Sequence, residues 1–430
     1  MLRFAQHDNA LHYCFSRRDC LLRQSQPYFS LFSRVALVDF IQSRVNYNGT
    51  NVIGAGSRGK KSSGPNPWEL NQLERRIHQM SNQHSQQASG KADQSGQVTP
   101  RRIMELAWGF GPPIVIDAAI RTRIFDTLDS GPKTIKETAA ATGAAPRAVR
   151  AIMDALVGIG LLERRAEQYA LAPDSAKFLV STKPSFHGGL ISHLTQQAIP
   201  KWLDLPKIAK TGSPSQALNQ EDGGAAYFRT FVEALFAMNY SAACALADAM
   251  AGTIGSAQPA KVLDIAAGSG VWGIALAEKF PNVQVTAVDW PTVAEIAKTV
   301  AARHHVSDRY RTIAGDVLEA DFGSGYRLAT LGHILHSEGE ARSRKLVQKV
   351  HQALAPGGAI AIAEFTPNDD RTGSPIALLF GVNMLVHTQN GDVFTFKQLS
   401  GWLTEAGFVN PRLLDAPGPS PLILADKRSA

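Results

Sequence analysis

From Lys261 to the C terminus, short apolar runs of strand length alternate with longer segments whose apolar positions recur every three or four residues. The short runs predict strands at 261–266, 283–288, 310–314, 327–333, 358–364, 408–414 and 421–426. The longer segments predict helices at 270–279, 291–303, 339–354, 375–387 and 397–406. Pro356-Gly357-Gly358 reads as a tight turn into the fifth strand. This alternation implies an α/β fold with a mostly parallel, seven-stranded, Rossmann-like sheet whose ligand sits at the carboxyl ends of the strands.

Upstream the pattern changes. Ile103, Leu106, Ala107 and Phe110, then Ile114, Ile116, Ala119, Ile120 and Phe125, give an apolar helical text interrupted at Gly111-Pro112-Pro113. It is too apolar for a solvated helix and implies burial against a partner. Thr134 and Glu137 spell a capping box for a helix over 135–142, and Gly143 stops it. Pro146 opens a second helix with Val149, Ile152, Met153, Leu156 and Ile159 on one face. Leu161-Leu162-Glu163 and Tyr169-Ala170-Leu171 then flank a turn, which completes a winged-helix arrangement over 101–180. Residues 181–260 read as a helical linking region with Trp202, Phe228, Phe231, Phe236, Met238 and Tyr240 as bulky core members. Asn239, polar among apolar neighbours, is a candidate substrate-lining residue.

Residues 1–100 do not read as a domain. Gly, Ser and Lys dominate 49–65, and Gln, Ser and Asn dominate 80–100, so too little surface can be buried to offset the chain entropy. Residues 1–45 are rich in Arg and Ser, like an organellar transit segment. The reading preferred over that is an over-extended start, with the true start at Met80.

Charge narrows the function. The net charge is +7, and residues 1–100 hold 12 Lys+Arg against 6 Asp+Glu, so six of the seven charges fall there. The body is nearly neutral, and the second helix of the winged arrangement offers only Arg147 and Arg150 to a groove. Nucleic acid is therefore not the expected partner, and dimerisation is the expected role of 101–180. No stretch approaches the roughly 20 apolar residues of a membrane span, so no membrane is expected either. Cys14, Cys20 and Cys244 make no metal pattern and no disulfide framework, which points to a reducing, cytoplasmic setting and to no metal.

The chemistry is concentrated where the first strand of the sheet ends. Val262-Leu263-Asp264-Ile265 leads into Ala266-Ala267-Gly268-Ser269-Gly270, a glycine turn that opens a helix. The second strand ends on Asp289, an acid placed to accept both hydroxyls of a ribose. Gly268 to Gly273 also satisfies the G-x-G-x-x-G dinucleotide pattern. Asp264, however, would repel a pyrophosphate and suits a cationic ligand, and Gly315-Asp316-Val317 adds a further acid after the third strand. Three carboxylates around one nucleoside favour S-adenosylmethionine, which carries a sulfonium and an ammonium and no phosphate.

These segments, with Ile334-Leu335-His336 and Leu354-Ala-Pro-Gly-Gly358 following in order, resemble the class I S-adenosylmethionine-dependent O-methyltransferases of the caffeate and acetylserotonin type. The similarity spans about 101–430, with a winged-helix dimerisation domain ahead of the catalytic domain at 261–430. It implies a homodimer that methylates a hydroxyl of a small aromatic or polyketide-like molecule. Asp264, Ala266, Gly268 and Gly270 would form the cofactor loop, Asp289 would bind the ribose, and Gly315, Asp316 and Val317 would hold the adenine. His336 matches the family's catalytic base and Glu364 the carboxylate that orients it; a neutral histidine suits proton abstraction at cellular pH. Asn383 and Met384 fall in the segment that forms the substrate lid in relatives. Departures occur as well. Ser337-Glu338 follows the histidine where relatives usually carry Asp-Trp, Val393 beside Asp392 stands at the second flanking position, and Gly332 replaces a frequent lysine. His333, His304, His305 and His351 match nothing in the family and read as surface or packing residues. Two alternatives remain: non-methylating chemistry on the same fold, and a ligand-sensing winged-helix regulator.

Overall fold

In the computed structural model the strands of the large sheet follow one another, edge to edge, as Tyr310–Ala314, Val283–Asp289, Ala260–Ile265, Tyr326–Gly332, Leu354–Ala363, Leu422–Lys427 and Phe408–Leu414. The strands are β4 (Ala260–Ile265), β5 (Val283–Asp289), β6 (Tyr310–Ala314), β7 (Tyr326–Gly332), β8 (Leu354–Ala363), β9 (Phe408–Leu414) and β10 (Leu422–Lys427). β4 through β8 run parallel, and β10 is antiparallel to both β8 and β9. The structure describes residues 98–214, 217, 232–255, 259–418 and 420–429. The expectations for residues 1–97, including a start at Met80, and for Phe228 and Phe231, lie outside the described residues.

A smaller sheet precedes the large one, with order β1-β3-β2 from β1 (Lys133–Thr134), β2 (Leu162–Arg165) and β3 (Gln168–Leu171). The helices before it are α1 (Arg101–Ala107), α2 (Gly111–Arg121) and α3 (Ile124–Asp129). Around it lie α4 (Ile135–Thr142), α5 (Pro146–Gly158) and α6 (Pro173–Phe178). Thr134 and Glu137 form the expected capping box, and Gly143 ends α4 in a left-handed conformation. Val149, Met153 and Leu156 of α5 bury against Ile124, Phe125 and Tyr169, which makes this winged helix a core of its own.

Gly111-Pro112-Pro113 does not interrupt the first helical text. The prolines occupy the first turn of α2, where the missing N–H costs nothing. Helical structure therefore runs from Arg101 to Arg121, and its most apolar 18-residue window has a mean hydropathy of 1.3. By length and composition this run could cross a membrane, contrary to the expectation that no stretch approaches that length.

Beyond the winged helix come α7 (Gly188–His193), a π turn over Leu194–Ala198, α8 (Ile199–Trp202), α9 (Leu205–Thr211), α10 (Val232–Ala249) and α11 (Ala251–Ile254). The sheet's helices are α12 (Val271–Lys279), α13 (Pro291–Arg303), α14 (Leu335–Ala353), α15 (Pro375–His387) and α16 (Phe396–Glu405). Alternate strand residues face opposite layers. Val262, Ala359, Ala361 and Ala363 meet α10, α12 and α13, while Leu263, Ile265, Ile360 and Ile362 meet α14 and α16. The small residues on the first face let α12 approach so closely that Val271 to Ala277 are all buried.

Two elements depart from the expected bounds. β8 starts at Leu354 because Tyr326 pairs with Leu354 and Leu328 with Ala359, so the Ala-Pro-Gly-Gly segment is a bulge inside the strand rather than a turn before it. α14 starts at Leu335 because one helical turn carrying His336 precedes a kink at Gly339 (φ 74°, ψ 168°). His336 thus lies on a helix start, not on the end of the strand.

Candidate active site

Register fixes where the chemistry converges. Ile265 pairs with Val288, Asp289 with Ala314, and Gly332 with Ala363. The loops carrying Gly268, Asp289, Gly315, His336 and Glu364 therefore leave the same edge of the sheet, where a parallel α/β fold places its ligand.

The glycine loop is built from left-handed residues: Ala266 at φ 50°, Gly268 at 57° and Gly270 at 78°. Gly270 needs to be glycine, since a Cβ there would come within 2.4 Å of the Tyr310 hydroxyl. Among the described residues a Cβ at Gly268 would meet nothing within 4 Å, so that side of the loop is open among them. Asp289 fastens the loop from the neighbouring strand: its Oδ2 accepts from the Gly268 N–H at 2.8 Å and its Oδ1 from the Trp290 N–H at 2.7 Å.

Asp264 behaves differently from the expectation of a carboxylate facing a cationic ligand. It is 0% exposed; Oδ2 accepts from the Gly273 N–H at 3.0 Å and Oδ1 from the Thr330 hydroxyl at 2.7 Å. It ties α12 and β7 to β4 beneath the loop. Burial pushes its carboxyl up to about 7, against the two hydrogen bonds that lower it.

At the other side of the cleft, Asp316 accepts from Arg342 Nη2 through both oxygens, at 2.9 and 2.7 Å, and also from the Leu318 N–H at 2.7 Å. Arg342 Nε donates to Glu338, which is 8% exposed. Lys349 caps the Val317, Leu318 and Ala320 carbonyls at 3.3, 2.7 and 2.6 Å. Glu338, a departure from the family pattern, is thus one end of an ion chain that holds the segment after β6 against α14. Val317 itself is buried.

His336 and Glu364 meet directly. Nδ1 of the imidazole lies 2.6 Å from Oε2, and Oε1 accepts from the backbone N–H groups of Leu335 and His336 at 2.7 and 3.3 Å. Glu364 is 3% exposed, yet its carboxyl is held below its ordinary value, because the paired histidine and these hydrogen bonds outweigh burial taken alone. An ionised Glu364 accepts only, so the Nδ1–H donates and the lone pair of His336 is on Nε2. Phe380 of α15 packs edge-on against the His336 ring at 4.8 Å, and Phe365 lies 4.2 Å from Phe380.

Sequence reasoning missed His333. It follows the last residue of β7 at φ 58°, with its N–H on the Ala363 carbonyl, and the turn brings it beside the His336–Glu364 pair. Burial pushes its imidazole down to about 4. Asn239, expected to line substrate, is 4% exposed; its Nδ2 donates to the Leu235 carbonyl and its Oδ1 lies 3.3 Å from His333 Nε2. Asn383 gives its Oδ1 to the Trp202 indole N–H at 2.9 Å, which docks α15 on α8, and Met384 is buried. Gly332 has a local reason as well: a Cβ there would stand 2.1 Å from Trp272 Nε1, so the indole occupies the room that a lysine would need.

Comparison with known proteins identifies the family. Residues 104–181 match the O-methyltransferase dimerisation domain and residues 247–409 the O-methyltransferase domain. The 3-hydroxy-5-methyl-1-naphthoate 3-O-methyltransferase of Streptomyces sahachiroi is 28% identical over 319 residues, 74% of this chain and 92% of that protein. The tetracenomycin polyketide synthesis 8-O-methyl transferase of Streptomyces glaucescens is 29% identical over 335 residues, 76% of this chain and 97% of that protein. The structure of human N-acetylserotonin methyltransferase shares the fold, with a TM-score of 0.68 at 21% identity over 79% of this chain and 100% of that one. A protein of Nostoc punctiforme assigned as an O-methyltransferase superimposes with a TM-score of 0.70 at 31% identity, covering 77% of this chain and 100% of that one. With both family domains in order along its length and a relative of that identity spanned from end to end, the chain belongs to the S-adenosyl-L-methionine-dependent O-methyltransferases.

Proposed function

We propose that the protein methylates a phenolic or enolic hydroxyl of a small aromatic, polyketide-like molecule, with His336 as the general base and Glu364 as its positioning partner. The observation that carries this is the 2.6 Å contact between His336 Nδ1 and Glu364, which leaves Nε2 as the basic nitrogen and stabilises the imidazolium once it forms. S-adenosylmethionine, when bound, supplies an electrophilic methyl group on a cationic sulfur. The open side of Gly268, the Asp289 carboxylate at the end of β5 and the Gly315-Asp316-Val317 segment fit its nucleoside. Asp289 would hold the ribose and Asp316 with Val317 the adenine. Asp264 serves by fixing Gly273 and the loop above it. The chain's own residues accelerate transfer by holding the hydroxyl in line with the methyl and by taking its proton.

A flat acceptor suits the aromatic walls Phe365 and Phe380. The relatives named for 3-O-methylation of a hydroxynaphthoate and for 8-O-methylation in tetracenomycin polyketide synthesis support the same substrate class here. A panel of hydroxynaphthoates, hydroxyquinones and simple phenols with labelled methyl donor tests the reading. Transfer to at least one, lost about 10²–10⁴-fold in His336→Ala with S-adenosylhomocysteine affinity kept, is the expected result. Donor binding without transfer to any acceptor would favour non-methylating chemistry.

The protein acts as a homodimer in this reading, in a reducing, cytoplasmic setting. Ile103, Met104, Leu106, Trp108, Phe110 and Ile114 of α1, α2 and the turn between them are 44–70% exposed, a contiguous apolar face at the start of the matched dimerisation domain. A second copy of the chain covers it, and nucleic acid is not the partner. Sedimentation should give a two-chain mass, and Leu106→Glu with Phe110→Glu should give a folded monomer. A wild-type monomer would overturn this.

A further inference from the structure

We propose that His333, His336 and Glu364 form a Zn2+ site that overlaps the base and turns methyl transfer off when it is filled. The inference rests on the reading of His336 as the base, and it gives that site a second ligand.

One ring nitrogen from each histidine and one carboxylate oxygen of Glu364 lie within 4.8 Å of one another. Two imidazoles and a carboxylate, with a fourth position left for water, are a common donor set for Zn2+. The fold creates this grouping. β7 and β8 are adjacent, Gly332 pairs with Ala363, and the next residue of each strand is His333 and Glu364. The left-handed turn at His333 and the helical start at Leu335 then bring the second imidazole back to the same carboxylate.

The protonation of His333 suits a metal ligand. Asn239 Nδ2 donates to the Leu235 carbonyl, so Oδ1 is the end facing His333 Nε2, and an amide oxygen only accepts. Nε2 therefore carries the ring proton and Nδ1 carries the lone pair. That Nδ1 is buried and has no hydrogen-bond partner among the described residues. A buried acceptor left unmatched costs free energy, and such an atom calls for an explanation. A cation held jointly with Glu364 and His336 supplies one. The reading of His333 as a plain packing residue leaves the lone pair unaccounted for.

Occupancy has a direct chemical consequence for the base. Zn2+ would replace the proton between His336 Nδ1 and Glu364, with the 2.6 Å separation opening to roughly 3.3 Å for tetrahedral donors about 2.0–2.1 Å from the ion. The proton of the neutral ring then resides on Nε2, the atom that must accept the proton of the substrate hydroxyl. A zinc-bound His336 is therefore not a base. Phe365, 5.1 Å from the His333 ring, and Phe380 surround the group with apolar surface, which favours ion–ligand contacts over hydration.

The test uses the full chain, stripped with chelator and titrated with Zn2+ alone, without donor or acceptor. Calorimetry should show one site of micromolar affinity or tighter that weakens at least tenfold in His333→Ala. Comparing the two proteins cancels binding elsewhere, including at His7, His12, His78 and His84. Co2+ should give the visible absorption of a four-coordinate site in the wild type and not in the variant. Zn2+ at the same midpoint should inhibit methyl transfer by the wild type, while the turnover that His333→Ala shows in chelator should resist that inhibition. If His333→Ala misfolds, His333→Asn provides the same comparison. Equal Zn2+ affinity in wild type and variant, or inhibition indifferent to residue 333, would overturn the proposal. The binding and Co2+ readouts need no methyl transfer, so a failure of the proposed function remains distinguishable from a failure of the metal site.

Discussion

Glu364 grips His336 twice, accepting the ring Nδ1–H on one oxygen and the backbone N–H on the other. The carboxylate thereby fixes both the helical turn that carries the proposed base and the tautomer of its ring. Glu364→Gln separates these roles. The glutamine oxygen can still accept from the Leu335 and His336 N–H groups, so its NH2 must face Nδ1 and donate. His336 then carries its proton on Nε2 and cannot act as a base. Turnover should fall about 10²–10⁴-fold, with the KM for the methyl donor unchanged. Adding Glu364→Gln to His336→Ala should cost little more, since the two act as a unit. Additive losses in the double variant would show independent roles.

Asp264 makes stability depend on pH in the opposite sense to a surface-paired aspartate. Its folded-state pKa, about 7, lies above the ordinary aspartate value of 3.8, so the folded chain holds the proton longer than the unfolded chain. The associated stability is complete below about pH 4 and is lost as pH rises through about 7. Asp264→Asn keeps the geometry, with the amide oxygen on the Gly273 N–H and the NH2 on the Thr330 hydroxyl. In urea titrations its stability relative to wild type should rise from pH 4 to pH 8, by at most on the order of 4 kcal/mol. A difference that stays flat across this range would show that Asp264 is ionised throughout.

The sheet was largely legible from sequence because buried parallel strands are continuous apolar runs, and here Asp289, Gly332 and Glu364 punctuate them. What escaped depends on tertiary contact. The bulge at Leu354 to Gly358 appears only when Tyr326 and Leu328 choose their partners. Asp264 looked like a ligand-facing acid because its position in the text does not say that Gly273 and Thr330 satisfy it from behind. His333 carried no signal, since its approach to Glu364 depends on one left-handed residue after β7. Gly332 could have been paired with Trp272 only by knowing that α12 packs close over β7. The apolarity of α1 and α2, by contrast, was plain in the text, and the prolines that seemed to break it simply begin a helix.

Arg342 links Asp316, after β6, to buried Glu338, two residues beyond the proposed base His336. Arg342→Met releases Asp316 and strands the Glu338 carboxylate. Stranding a buried acceptor costs about 1–3 kcal/mol, so thermal or urea stability should fall by that order. Affinity for S-adenosylhomocysteine should fall several-fold, with a smaller change in kcat, because the proposed adenine side is disturbed and the His336–Glu364 pair is not. Arg342→Lys keeps the charge without the planar fork and should recover part of both losses. The double variant Glu338→Gln with Arg342→Met separates the two effects. Stability should return, since no buried charge is left unpaired, while cofactor affinity stays low, since Asp316 still lacks its partner. Recovery of affinity along with stability would show that the chain serves folding alone and leaves cofactor binding to the loop after β4.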